Sequence, residues 1–136
     1  MPKGRDRIVC VDTNVVLRLI LADDEVLHRR AREIFKEGEI GRAKIYIDEV
    51  VLAECVWVLK SFYKKSREQI CEVLSKLLSL KYMANPRGKM ARESLLIYKT
   101  TSLSLEDCWL MVLSKSQNYD FQTFDVKLRK RAERGK

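Results

Sequence analysis

The chain has 136 residues, 46% of them hydrophobic, which is enough to build one domain, residues 1–136, around a single core. Its 27 Lys and Arg residues outnumber 19 Asp and Glu residues, and the net charge of +8 favours a polyanionic partner, above all nucleic acid. Charged residues interrupt every long apolar run, so the sequence predicts no membrane span, and the basic N-terminus lacks the pattern of a secretory signal.

The cysteines indicate a reducing compartment. They have no CxxC spacing and lie in apolar stretches, at Cys10, Cys55, Cys71 and Cys108. Because a disulfide framework or a zinc site needs a recognisable spacing, we expect reduced, buried thiols. The sequence therefore predicts a cytoplasmic protein.

Strand and helix patterns alternate through the first half of the chain. The predicted elements are a strand over 8–11, helices over 14–21 and from Asp23 or Asp24 to about Lys36, a strand over 43–47, and a long helix capped by Asp48. The first strand is β-branched and nearly continuous, as expected for a strand buried on both faces of a parallel sheet. The residues predicted to form the buried stripe of the long helix are Val50, Val51, Glu54, Trp57 and Val58.

The alternation continues in the second half, where Ser66-Arg-Glu-Gln69 matches a capping box that begins a helix. The remaining predicted elements are a short strand over 81–84, helices over 89–99 and 105–116, a strand over 121–124 and a basic terminal helix from Val126. Ser104 is the predicted cap of the 105–116 helix, and Asn118 stands where a left-handed residue often ends one. Strands that alternate with helices predict an α/β fold with a parallel sheet covered on both faces.

Four acids lie in apolar surroundings along this pattern. Asp12 and Asp125 end strands and Asp107 stands in the first turn of a helix, so all three can reach one rim of a parallel sheet. Glu54 can join them if its helix packs across that rim. Converging carboxylates repel one another and raise each other's pKa values, and a divalent cation removes this conflict. Oxygen ligands without a nearby His or Cys favour Mg²⁺ or Mn²⁺.

Each acid alone also has a simpler interpretation. Asp12 and Asp125 suit helix caps, and Asp107 suits a first-turn acid stabilised by the helix dipole. Glu54 is different, because capping does not explain an acid in the middle of an apolar stripe. Taken jointly, the acids favour a metal site.

The motifs that contain these acids resemble those of the PIN-domain family, and within it the small VapC-type toxins. The resemblance covers nearly the whole chain and rests on Val11-Asp12-Thr13-Asn14, Val51-Leu-Ala-Glu54, Ser104-Leu-Glu-Asp107 and Thr123-Phe-Asp125. It implies a three-layer α/β/α fold with a central parallel sheet of four or five strands. It also implies that the four acids bind the metal and are catalytic, and that Asn14 and Thr123 support the ligands or orient the substrate.

The family members are typically Mg²⁺- or Mn²⁺-dependent ribonucleases, usually dimeric and blocked by a cognate antitoxin. The resemblance therefore implies an endoribonuclease that hydrolyses RNA phosphodiester bonds, a homodimer and an antitoxin partner. Three apolar residues on the early helices are candidates for the dimer contact: Val16, Leu17 and Ile20.

Basic residues beside the motifs have two interpretations each. Lys127, Arg129 and Lys130 follow Asp125 directly and either contact the RNA backbone or form a solvated helix face. Tyr63, within the basic stretch 60–67, could stack a base, although covering a helix end is the simpler interpretation.

Other functions fit the motifs less well. A catalytically inactive RNA- or protein-binding module would have no need of a complete set of acids. A structure-specific DNA nuclease would need additional acids and DNA-binding elements. An aspartyl phosphatase would need a second acid two residues after Asp12, where the chain has Asn14.

Overall fold

The computed structural model describes residues 7–134 of the chain. The secondary structure elements are β1 (Ile8–Cys10), α1 (Thr13–Leu21), α2 (Glu25–Glu39), β2 (Lys44–Tyr46), α3 (Glu49–Ser61), α4 (Arg67–Leu78), α5 (Gly88–Thr100), α6 (Leu105–Ser116) and α7 (Val126–Arg134). None of the helices within these residues is both long enough and apolar enough to cross a membrane.

The predicted helix ends are confirmed, because short-range hydrogen bonds define them. The side chains of Asp24, Asp48 and Ser104 accept bonds from backbone N–H groups at the starts of α2, α3 and α6. Ser66 and Gln69 form both bonds of the capping box at the start of α4. Asn118 adopts the predicted left-handed conformation after α6, with φ at 57°.

The sheet is smaller than predicted. β1 and β2 pair in parallel with Val9 opposite Ile45, which confirms the α/β character and the parallel pairing. The predicted strand over 81–84 is reduced to one parallel bridge between Ile45 and Met83. The side-chain amide of Asn85 extends this contact by bonding to the backbone N–H and C=O groups of Ile47, at 3.2 and 2.6 Å.

The predicted strand over 121–124 is wrong, since this segment is irregular and Phe124 is fully exposed. β1 is accordingly not buried on both faces, because Ile8 is 60% exposed and Cys10 is also exposed. Strand formation depends on a pairing partner, which local composition does not supply. Within residues 7–134 the sheet has two strands, so the prediction of four or five strands is not confirmed.

The core lies where the helices pack on one another and on β2. α1 packs against α2 and α3, while α4, α5 and α6 pack in sequence. Val16 and Leu17 are buried in this core and are therefore unavailable for the predicted dimer contact, whereas Ile20 of the same set is half-buried. Arg67 fastens the loop before α6, since its guanidinium donates to the carbonyl oxygens of Tyr98 and Leu103 at 2.8 and 2.7 Å.

The buried side of α3 is also different from the predicted one. The residues that face the core are Leu52, Cys55, Val56 and Leu59. Val50, Glu54 and Trp57, predicted to be buried, are exposed. α3 carries apolar residues around most of its circumference, so periodicity alone could not indicate which side faces inward.

Candidate metal centre

A hydrogen bond between two helices brings the first two predicted acids together. Asp12 caps α1, and its Oδ1 atom accepts a bond from the backbone N–H of Val15 at 3.1 Å. The adjacent Thr13 hydroxyl donates to Oε2 of Glu54 on α3 at 3.0 Å. The Glu54 carboxylate is therefore held at the N-terminal end of α1, beside Asp12.

The negative charges of Asp12 and Glu54 affect the buried thiol of Cys55. Burial, together with the negative charges of Glu54 and Asp12, raises the pKa of its thiol to about 12. Both carboxylates therefore lie close enough to Cys55 to affect the pKa of the same thiol. The thiol stays protonated at neutral pH, so it does not compete with the carboxylate oxygens as a metal ligand.

An open cleft of about 230 Å³ adjoins Glu54 and Thr13. Its lining residues are Thr13, Asn14, Leu17, Arg18, Glu54, Val58, Phe62 and Tyr63. Arg18 donates to Oδ1 of Asp23 at 2.8 Å, and the Tyr63 hydroxyl donates to the other oxygen of Asp23 at 3.1 Å. Asn14, predicted to support ligands or substrate, therefore faces the cleft together with a cation and two aromatic rings.

The other two acids form local contacts. Asp107 is half-buried in the first turn of α6, and its backbone N–H donates to the Ser104 hydroxyl at 3.1 Å. Asp125 is exposed and accepts a bond from the backbone N–H of Leu128 at 2.9 Å, so it caps α7. Thr123 accepts a bond from the backbone N–H of Asp125 at 3.1 Å.

The basic residues after Asp125 lie on the surface of α7. Lys127, Arg129 and Lys130 are all exposed. The Lys127 ammonium group donates to the Ser102 hydroxyl, in the loop that precedes α6. This contact links the start of α7 to the loop that precedes α6, so it ties together the segments next to Asp125 and Asp107.

The donor set suits a hard cation, and the Thr13 bond holds Glu54 against the residue that follows Asp12. Within residues 7–134 no group of three or more His, Cys, Asp and Glu side chains is arranged to hold a metal ion. The four-acid centre therefore remains a prediction. Asp12 and Glu54 still fit Mg²⁺ by their chemistry, because this ion is often bound through one or two carboxylates and keeps several waters.

Two side chains of the cleft were missed as functional candidates from the sequence. Arg18 follows Asn14 by four residues, so helical spacing could have placed both on one side of α1. Phe62 gives no comparable signal, because the sequence does not show whether an aromatic ring after α3 is exposed.

The comparisons with known proteins agree with the motifs. The model of the PIN domain matches residues 9–134, so this chain belongs to the PIN-domain family. The chain is 27% identical over 105 residues to a VapC ribonuclease of Aquifex aeolicus (strain VF5), an alignment that covers 77% of each protein. No solved structure matches the chain.

Proposed function

We propose that this PIN-domain protein, as a single domain, is a Mg²⁺- or Mn²⁺-dependent endoribonuclease that hydrolyses RNA phosphodiester bonds. The observation that carries the proposal is the bond from Thr13 to Glu54, which holds a second carboxylate next to the start of α1, in the lining of a cleft. The net charge of +8 and the similarity to a VapC ribonuclease support RNA as the substrate.

The proposed ligands are Asp12, Glu54, Asp107 and Asp125. A bound divalent cation lowers the pKa of a water molecule and offsets charge on the phosphate. Asp12 uses Oδ1 to cap α1 and Glu54 uses Oε2 to accept from Thr13, so each keeps a second oxygen for a cation.

Other residues of the chain are proposed to handle the RNA. Asn14 in the cleft and Thr123 beside Asp125 would support the ligands or orient the scissile phosphate. Lys127, Arg129 and Lys130 would contact the RNA backbone, because exposed cations on one helix suit a polyanion. In-line hydrolysis at phosphorus leaves a 3′-hydroxyl and a 5′-phosphate.

The biological setting follows from the VapC likeness. We propose that the protein is the toxin of a toxin–antitoxin pair, that it acts as a homodimer in the cytoplasm and that a cognate antitoxin blocks it. Co-expression with its antitoxin would relieve growth arrest caused by the active chain. Growth arrest by an Asp12→Asn variant would contradict cleavage as the toxic activity.

The direct test is cleavage of a labelled single-stranded RNA in Mg²⁺, in Mn²⁺ and in EDTA. We expect metal-dependent cleavage, and a loss of at least about 100-fold in Asp12→Asn and Glu54→Gln, because each removes a ligand charge. Asp24→Asn is the matched control, since Asp24 caps α2 in the same way and asparagine caps equally well. RNA binding without cleavage in either metal would instead identify a non-catalytic module.

A further inference from the structure

Three exposed aromatic side chains continue from Glu54 along α3 and into the turn that follows. Trp57, Phe62 and Tyr63 are 59%, 71% and 37% exposed, and we call them the aromatic face. Glu54 and Trp57 are three residues apart and therefore share one side of the helix. The rings of Trp57 and Phe62 meet edge to face with centroids 6.0 Å apart. Contiguous exposed apolar surface of this kind is typical of an interaction site.

The turn after α3 holds the aromatic face in a defined position. Lys64 adopts a left-handed conformation with φ at 53°, and the backbone N–H of Lys65 donates to the Leu59 carbonyl at 3.0 Å. The hydroxyl of Tyr63 is tied to Asp23 at 3.1 Å. A fixed aromatic surface loses little conformational entropy on binding, which favours its use for recognition.

The charge around the aromatic face identifies the kind of partner. Lys60, Lys64 and Lys65 are exposed, and among residues 7–134 none of them is in an ion pair with an acid. Cations between aromatic rings suit a polyanion with flat apolar groups, which describes unpaired nucleotides. Phe62 and Tyr63 also line the same cleft as Glu54, so the surface is continuous with the candidate metal centre.

We propose that the aromatic face stacks unpaired bases of single-stranded RNA while Lys60, Lys64 and Lys65 contact its phosphates. The identification of the nucleic acid as RNA rests on the proposed function. Bases in a duplex are already stacked on one another, so the face selects single strands over duplexes. The scissile phosphate then lies beside Glu54, next to the stacked bases.

The test measures binding in EDTA, where metal-dependent cleavage does not interfere. Labelled uridine oligonucleotide is titrated with wild type, Trp57→Ala, Phe62→Ala and the control Leu96→Ala, which removes an exposed side chain of α5. We expect each aromatic variant to weaken binding by about fivefold or more, and Leu96→Ala to bind like wild type. Trp57→Phe keeps a ring and should retain most of the affinity. Duplex RNA should bind more weakly than the single strand.

Two outcomes would overturn the proposal. Wild-type affinity in both aromatic variants would remove the stacking role. If the aromatic variants bind RNA like wild type but differ from it in self-association, as measured by analytical ultracentrifugation, the aromatic face is a contact between two copies of this chain. Failure of the proposed function is distinguishable, because binding that depends on Trp57 and Phe62 in a protein that cleaves no RNA would support the aromatic face and contradict the ribonuclease.

Discussion

The two halves of the predicted metal centre are built in different ways. In the half at α1 and α3, a side-chain bond from Thr13 reaches Glu54 across 41 residues of sequence and sets it beside Asp12. In the half at α6 and α7, hydrogen bonds at the helix starts position Asp107 and Asp125. Each of these bonds joins residues only three apart in sequence. Glu54 is thus held by a contact from a distant part of the chain, whereas Asp107 and Asp125 are positioned only by residues close to them in sequence.

The largest expected difference between the halves is in metal-dependent stability. Wild type should gain about 2.7 kcal/mol when free Mn²⁺ is about 100 times its Kd, because the ion binds only the folded state. Asp12→Asn should lose most of this gain and Asp125→Asn less than half, as measured by thermal melting with and without Mn²⁺. Without metal, both variants should melt near wild type, since asparagine also caps a helix. Equal losses in the two variants would show that both halves contribute alike.

The threonines of the two halves give a smaller contrast. Thr13→Val removes the hydroxyl that holds Glu54 while keeping the side-chain shape, and we expect Mn²⁺ affinity to fall about tenfold. Thr123→Val is the comparison, and we expect a smaller loss of affinity, because among the described contacts that hydroxyl bonds only a backbone N–H. Isothermal titration with Mn²⁺ measures both. An equal effect of the two substitutions would mean that the Thr13 bond does not position a ligand.

The smallest expected effect concerns the start of α3, the helix that carries Glu54. A hydrogen bond between Tyr46 and Asp48 raises the pKa of Tyr46 to about 12 and lowers that of Asp48. The stability due to Tyr46 is therefore present below pH 10 and is lost as pH rises towards 12, while that due to Asp48 is lost as pH falls through the acid range. Because both groups are partly exposed, Tyr46→Phe should cost only about 0.5 kcal/mol at neutral pH.

Urea unfolding of wild type and Tyr46→Phe across pH measures this contribution. The difference between the two proteins should be largest near neutrality and shrink towards both extremes. A difference that does not vary with pH would assign it to packing of the ring and not to the bond with Asp48.

The cysteines also show the difference between what neighbouring residues in sequence predict and what the tertiary structure decides. All four cysteines were predicted to be buried because apolar residues surround them in sequence. Cys55 and Cys108 are buried, and burial raises their pKa values to about 12 and about 11. Cys10 is exposed, although it lies in the apolar run of β1. Apolar neighbours in sequence therefore predicted a buried thiol correctly only where the helix that carries the cysteine packs against the core.

The sequence by itself determined where the helices begin and end and which acids are available to bind a metal. The caps at Asp24, Asp48, Ser66 and Ser104 follow from hydrogen bonds that close within three residues. Such bonds need no partner from elsewhere in the chain, so local residue types were sufficient to predict them.

Only the tertiary structure decided which side of α3 faces the core, how many strands pair and which acids meet. α3 is apolar on both sides, so its orientation depends on what packs against it, and the packing leaves Trp57 exposed beside Glu54. The 121–124 segment has the composition of a strand but lacks a pairing partner within the described residues. Contacts between distant residues, such as that of Thr13 with Glu54, have no local signature, because they form only when elements far apart in the sequence pack together.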